Sequence, residues 1–250
     1  MLVQKNGNVW KIDPSTMTSV ASLDLGESYI LRLTFDGTYI YAGTESGGIF
    51  KIDPSTMTSI ASSSAFAVPS LTFDGTYIYA GTTTSAVGKF DRSNMALISD
   101  VSLASGVVNS LTFDGTYIYA GTGNDSVFKI DPSTMTSIAS LALPGGTGSS
   151  TFALTFDGTY IYAGTKNGNV WKIDPSTMTS IAHFAVVLTS EVYSLTFDGT
   201  YIYAGVSGGV FQIDSATMTS VAALSSGISP VYSLMVNSLK YGVSWAFPIP

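Results

Sequence analysis

A nine-residue block recurs five times along this chain, and its period limits the possible folds more than any other feature. The block reads Phe-Asp-Gly-Thr-Tyr-Ile-Tyr-Ala-Gly and begins at Phe35, Phe73, Phe113, Phe156 and Phe197, in steps of 38, 40, 43 and 41 residues. A second block, typically Lys-Ile-Asp-Pro-Ser-Thr-Met-Thr-Ser, recurs with a similar period. A period near 40 residues suits either a four-stranded propeller blade or a pair of helices.

The residues within each unit favour strands over helices. Thr, Tyr, Ile, Val and Phe are frequent, and apolar residues alternate with a period of two rather than 3.6. Asp36-Gly37 predicts a tight hairpin because glycine accepts a positive φ, and Asp53-Pro54 predicts a second turn. Four strands per unit follow, near Tyr29–Phe35, Tyr39–Thr44, Gly48–Asp53 and Met57–Ser62. The sequence therefore predicts an all-β repeat.

The two ends of the chain predict the number of blades. Lys5–Ser19 is identical to Lys166–Ser180, so the chain begins inside a unit, at its third strand. Ser233–Val236 lies 39 residues after Ser194–Phe197, where a first strand is expected. The predicted fold is a six-bladed β-propeller of four-stranded antiparallel blades, a single domain over residues 1–250. One blade is shared by residues 1–24 and 230–250, which removes exposed sheet edges.

Composition excludes several functional classes. The chain has 10 Lys and Arg against 17 Asp and Glu, a net charge of −7, and lacks the basic surface that binding to nucleic acid or an anionic membrane requires. It has no Cys and one His, which excludes a thiol nucleophile and a His-rich metal site. We expect no cofactor, no metal site and no membrane insertion. No signal peptide is recognisable in this chain.

One stretch of the repeat carries a resemblance to a known family. Ser194 to Tyr203 reads Ser-Leu-Thr-Phe-Asp-Gly-Thr-Tyr-Ile-Tyr, and an apolar-Lys-Ile-Asp strand and a Thr-rich hairpin follow in most units. This pattern resembles the YVTN family of β-propeller repeats, among the NHL and lactonase-like propellers. Tyr-Ala-Gly replaces the Tyr-Val-Thr-Asn of that family, and six units replace the more usual seven. The resemblance implies a propeller fold and, broadly, cell-surface proteins, binding scaffolds and a minority of enzymes.

Most charged residues are predicted to serve the repeat itself. Eleven aspartates are expected to cap the two turns of each unit: Asp36, Asp74, Asp114, Asp157, Asp198, Asp13, Asp53, Asp91, Asp131, Asp174 and Asp214. Five lysines share one strand position and are expected to face outward, their stems covering apolar neighbours: Lys11, Lys51, Lys89, Lys129 and Lys172. Six methionines recur once per unit and are expected to pack on the outermost strand: Met17, Met57, Met95, Met135, Met178 and Met218.

The candidate ligand-binding residues lie where the repeat is broken. The residue just before the Leu-Thr-Phe strand is small in most units, but Arg32 occupies this position in one of them. The position before it reads Leu31, Pro69, Asn109, Phe152, Tyr193 and Tyr232. These residues are expected near one mouth of the central channel, beside variable loops of the kind that form ligand sites. The predicted ligand-binding residues are Arg32, Asn109, Glu191, Tyr193 and Tyr232, with no catalytic residue among them.

Three functional hypotheses follow from the sequence. The first is a non-enzymatic binding or scaffold propeller that contacts a protein or a glycan through loops on the channel-mouth face. The second is a lactonase- or lyase-like enzyme with a metal in the channel, for which Glu191 is the sole inner-strand carboxylate. The third is a structural or designed symmetric repeat without a ligand. A Ser- and Thr-rich, mildly acidic surface suits an extracellular, cell-surface or virion setting.

Overall fold

The residues that the structure describes contain twenty-five β-strands and no helix. The structure is a computed structural model, and it describes residues 2–3, 7–46, 48–64, 66–144, 150–186, 191–225, 230–236 and 243–245. The predicted all-β class is confirmed.

The strands form six blades and one additional hairpin, in which consecutive strands are hydrogen-bonded neighbours. Blade 1 contains β1 (Leu2–Val3), β2 (Asn8–Asp13) and β3 (Thr18–Asp24). Blade 2 contains β4 (Ile30–Phe35), β5 (Ile40–Thr44), β6 (Ile49–Asp53) and β7 (Thr58–Ser63). Blade 3 contains β8 (Ser70–Phe73), β9 (Tyr77–Gly81), β10 (Ala86–Asp91) and β11 (Leu97–Ser102).

The second half of the chain continues the same order. Blade 4 contains β12 (Val108–Phe113), β13 (Ile118–Thr122), β14 (Ser126–Asp131) and β15 (Thr136–Ala142). Blade 5 contains β16 (Thr151–Phe156), β17 (Ile161–Thr165), β18 (Asn169–Asp174) and β19 (Thr179–Ala185). Blade 6 contains β20 (Val192–Phe197), β21 (Tyr201–Val206), β22 (Gly209–Asp214) and β23 (Thr219–Ser225). A terminal hairpin contains β24 (Leu234–Val236) and β25 (Val243–Trp245).

The chain divides into two compact units, with the boundary between Leu111 and Thr112, inside β12. The first unit contains blades 1 to 3, and the second contains blades 5 and 6 and the terminal hairpin. Within each unit the first strands of neighbouring blades lie against one another, as β4 does with β8 and β16 with β20. The single domain over residues 1–250 stays a prediction.

The Asp-Gly turn is fixed by hydrogen bonds that span at most five residues. In blade 2, Asp36 Oδ1 accepts the backbone N–H groups of Thr38 at 2.8 Å and Tyr39 at 2.6 Å. Asp36 Oδ2 accepts the hydroxyl of the fully buried Tyr41 at 2.8 Å. Gly37 has a φ of 94°, in the left-handed region that glycine adopts without strain. The carboxylate therefore ties the turn to the core of its own blade.

The Asp-Pro turn uses its aspartate in a similar way. Asp53 Oδ1 accepts the backbone N–H of Ser55 at 2.7 Å and its hydroxyl at 2.6 Å. The Met57 N–H donates to the Asp53 carbonyl at 2.8 Å, and Met57 has a φ of 53°. The corresponding turn or hairpin hydrogen bonds occur at all eleven repeat aspartates. The prediction that these aspartates cap turns is confirmed.

Repeat lysines tie blades 1, 2, 4 and 5 to the blade that follows each of them, which differs from the outward-facing role expected for these lysines. Lys172 is buried; its Nζ donates to the Ser215 carbonyl of blade 6 at 2.7 Å and lies 4.1 Å from the centre of the Tyr160 ring. Equivalent bonds join Lys11 to Pro54, Lys51 to Arg92 and Lys129 to Pro175. The ammonium reaches a turn carbonyl that only the neighbouring blade brings within range.

The two ends of the described chain are arranged differently from the predicted shared blade. Leu2 and Val3 form a short strand that pairs with Trp10 and Val9 of β2, where the sequence predicted a strand from the C-terminus. In the second unit, β24 pairs with β25. Since β1 occupies the edge of β2, the strand pairs of the described residues do not show closure by one shared blade.

Candidate functional site

Three aromatic side chains, from blade 5, blade 6 and the segment before β24, form a group in the second unit, which we call the aromatic strip. It consists of Phe152, Tyr193 and Tyr232. The rings of Phe152 and Tyr193 are nearly parallel, at 8°, with their centres 6.2 Å apart. Tyr193 and Tyr232 meet edge to face at 60°, with centres 4.8 Å apart. Tyr232 is 53% exposed, so one end of the strip is open to solvent.

A β-bulge at the start of the first strand positions two of these rings, in blades 5 and 6. Thr151 pairs with Thr165 and Ala153 with Gly164, which leaves Phe152 as the extra residue between them. The same shift leaves Tyr193 between Val192 and Ser194 in blade 6. A bulge bends the strand and changes the direction of the side chain that it carries. The same bulge occurs at Leu31 in blade 2, where the extra residue is not aromatic.

Two charged side chains border the strip. Tyr193 makes a hydrogen bond with the Glu191 carboxylate; burial together with this bond raises the pKa of the Tyr193 hydroxyl to about 12. Lys166 Nζ lies 3.9 Å from Glu191 Oε1, and both side chains keep part of their surface in solvent. The backbone N–H of Lys166 donates to the Ser150 carbonyl at 2.8 Å, which fixes its loop beside β16. The site therefore combines aromatic rings with a partly exposed acceptor, Glu191, and an exposed donor, Lys166.

Three of the five predicted ligand-binding residues come together in this site: Glu191, Tyr193 and Tyr232. Phe152 and Lys166 join them but were not selected from the sequence. Phe152 occupies the variable position that also holds Tyr193, so its place in the repeat was a usable signal. Lys166 is part of a stretch that is identical to the one beginning at Lys5, so the repeat gave no sign of its role.

The other two predicted residues, Arg32 and Asn109, belong to the first unit. Arg32 Nε donates to the Pro69 carbonyl of blade 3 at 3.3 Å, and burial lowers the pKa of its guanidinium. Serines at the same position make a comparable bond, since Ser70 donates to the Val108 carbonyl at 2.7 Å. Arg32 therefore links one blade to the next. Asn109 is partly buried in β12.

No group of three or more His, Cys, Asp or Glu side chains in the described part of the chain could hold a metal ion. His183 stacks on Trp171 in blade 5, with ring centres 4.6 Å apart. The aromatic strip offers recognition by shape, apolar contact and hydrogen bonding.

Comparison with known proteins bears on the fold. The crystal structure of the computationally designed Ika8 protein superimposes with a TM-score of 0.78 and 18% sequence identity, covering 93% of this chain and 73% of that one. The fold is propeller-like. No family model matches the chain, and no curated protein matches it. Among the described residues, no helix is long and apolar enough to cross a membrane.

Proposed function

We propose that this propeller is a non-enzymatic binding module and that the aromatic strip, with Glu191 and Lys166, forms its ligand contact. The observation that carries this proposal is the convergence of three aromatic rings from three successive repeats at positions where the repeat otherwise varies. Rigid scaffolds commonly present their ligand residues in this way. Tyrosine suits such a surface because it combines a large apolar face with a hydroxyl group.

The chemistry of the strip favours a glycan over a protein as the ligand. The C–H face of a sugar ring packs on an aromatic face, and its hydroxyls both donate and accept hydrogen bonds. Glu191 supplies an acceptor and Lys166 supplies a donor beside the rings. A protein partner would call for a broader buried patch than three rings provide.

A glycan array followed by calorimetry tests this function. We expect the wild-type chain to bind a sugar and Tyr232→Ala to weaken that binding by about tenfold, an effect typical of losing one aromatic anchor. Tyr29→Ala is the matched control, because Tyr29 is also exposed but lies in the first unit. Equal losses in both variants would contradict the proposal. Capture of a protein, abolished by Tyr232→Ala, would instead assign the strip to a protein partner.

The small number of charged residues supports a non-enzymatic binding function and an extracellular setting. Eleven of its 17 acidic residues are used in turns, which leaves few carboxylates for acid–base or metal chemistry. We propose an extracellular, cell-surface or virion setting, which a polar, weakly charged surface suits. Metal analysis of the purified protein tests the lactonase- or lyase-like alternative, since stoichiometric calcium or zinc would favour it. A blank array would favour the ligand-free structural repeat.

We also propose that residues 230–250 complete the blade begun by residues 1–24. The strand β24 falls where the 39-residue step predicts a first strand. Phe35 is 57% exposed, whereas its equivalent Phe73 packs against a cluster that includes Tyr41 of the preceding blade. In the shared blade, β25 would take the place of β1 at the edge of β2 and cover Phe35 in the same way. Removing Met1–Ser19 should then lower the thermal stability, and an unchanged unfolding temperature would contradict the shared blade.

A further inference from the structure

Arg32 places a partly buried positive charge between blades 2 and 3, at a position where the other repeats have no charge. The equivalent residues are Ser70, Ser110, Ala153, Ser194 and Ser233. Arg32 pairs with Gly43 of β5, so the two residues share one face of the sheet. A Cβ atom at Gly43 would lie 2.6 Å from the Val68 carbonyl oxygen, so the segment leading into β8 covers this face. The Arg32 side chain therefore lies at a junction within the first unit.

The bond from Arg32 to the next blade does not require an arginine. Ser70 and Ser194 each donate to a carbonyl of the repeat that follows, at 2.7 Å and 2.9 Å. Arg32 Nε donates to the Pro69 carbonyl over a longer distance, 3.3 Å. A serine thus makes the shorter bond without burying a charge. Because removing a charge from water without a partner costs free energy, a link between blades does not by itself explain an arginine here.

The far end of the guanidinium has no partner among the described residues. Arg32 bonds there through Nε alone, and the ion pairs of the same residues join Arg92 to Asp36 and Lys166 to Glu191. Burial lowers the pKa of the Arg32 guanidinium, and no described carboxylate opposes this effect. Neither Nη1 nor Nη2 is among the buried polar atoms without a partner in this part of the chain. The described residues therefore leave both nitrogens open to a ligand.

We propose that the two terminal nitrogens of Arg32 bind the carboxylate of a small organic acid. A guanidinium donates two parallel hydrogen bonds that match the two oxygens of a carboxylate, and the Nε bond to Pro69 holds its plane in one orientation. The charges also match, since one guanidinium neutralises one carboxylate. Phosphate groups carry more negative charge at neutral pH, and the chain already has a net charge of −7. Arg32 would bind this ligand whether or not the aromatic strip binds a glycan.

Side-chain NMR observes this site directly, because Arg32 and Arg92 are the two arginines of the chain. Protein made with isotope-labelled arginine gives one Nε–Hε signal for each of them, and Arg32→Ser assigns the signal that it removes. We expect sodium acetate, exchanged for sodium chloride at constant ionic strength, to shift the Arg32 signal saturably. Arg92 is the internal control, because it is already paired with Asp36 and its signal should shift little. An Arg32 signal that responds no more than the Arg92 signal would overturn the proposal.

Two variants and a second anion test the chemistry of binding. Acetate at about ten times its dissociation constant should raise the unfolding temperature of the wild-type chain by about 3–6 °C. Arg32→Ser restores the residue of most other repeats, so it should fold but show no such rise. Arg32→Lys keeps the charge but loses the paired donors, so calorimetry should show acetate binding weakened by about tenfold. Undiminished binding by either variant, or tighter binding of inorganic phosphate than of acetate, would overturn the proposal.

Discussion

Two methionines in identical sequence contexts allow a direct test of how the blades hold together. Met17 and Met57 both follow Asp-Pro-Ser-Thr, and their φ values are 54° and 53°. They differ in exposure, at 70% for Met17 and 6% for Met57. Replacing each by alanine therefore changes the same side chain on the same backbone, and the two free energies of unfolding differ only through packing.

The structure sets the expected magnitudes. A buried methionine replaced by alanine costs about 2–5 kcal/mol. The loss in free energy of unfolding for Met57→Ala should lie near the lower end of this range, at about 2–3 kcal/mol. The reason is that its neighbours Ala21 and Leu23 are only partly buried and can relax. Met17 already keeps most of its surface in water, so Met17→Ala should cost about 0.5 kcal/mol. For a chain of this size, each kcal/mol lowers the unfolding temperature by about 2–4 °C.

Urea unfolding followed by circular dichroism measures both effects. Equal destabilisation by Met17→Ala and Met57→Ala would refute the reasoning, because it would show that the Met17 face is covered within a single chain. Met178→Ala provides an internal control, since Met178 is as buried as Met57 and should behave like it.

Three further predictions concern polar groups that connect or cap the blades. Lys172→Met should lower the free energy of unfolding by about 1–3 kcal/mol in urea titrations, because it removes the donor to the Ser215 carbonyl; an unchanged urea midpoint would contradict this link between blades. Tyr119→Phe should cost about 1–3 kcal/mol, because the buried hydroxyl donates to Asp114 Oδ2 at 2.8 Å, and Tyr203→Phe should cost less, because Tyr203 is more exposed. Hydrogen bonds from the Ser55 hydroxyl and N–H lower the pKa of Asp53 below its ordinary 3.8, so its contribution to stability is present above that value and is lost as the pH falls through the lowered pKa. Thermal unfolding between pH 5 and pH 2 should show this loss, and Asp53→Asn should reduce the pH dependence; a variant as pH-dependent as the wild-type chain would contradict it.

The features that the sequence predicted well are those that depend on short-range contacts. The turn at Asp36 is fixed by bonds to residues two, three and five positions away, all inside the recurring block. The all-β class and the order of strands within each blade follow from the same local pattern. Resemblance to YVTN-type repeats and closure through a shared blade stay predictions.

The features that the sequence did not predict depend on contacts between repeats. Lys172 was expected to face outward, but its partner is a carbonyl 43 residues away in the next blade. Lys166 was missed because its contact with Glu191 depends on how successive blades align. A periodic pattern shows which residues are equivalent, but it does not show which of them meet.

The sequence by itself determined the strands of each blade, the two capped turns that join them, and the number of blades along the chain. Each of these follows from hydrogen bonds and alternation over a few residues, which are the same wherever the block recurs. Only the tertiary structure decided which equivalent residues differ in environment. Met17 and Met57 have identical sequence neighbours, yet one is exposed and the other buried, because burial depends on whether a preceding blade covers the side chain.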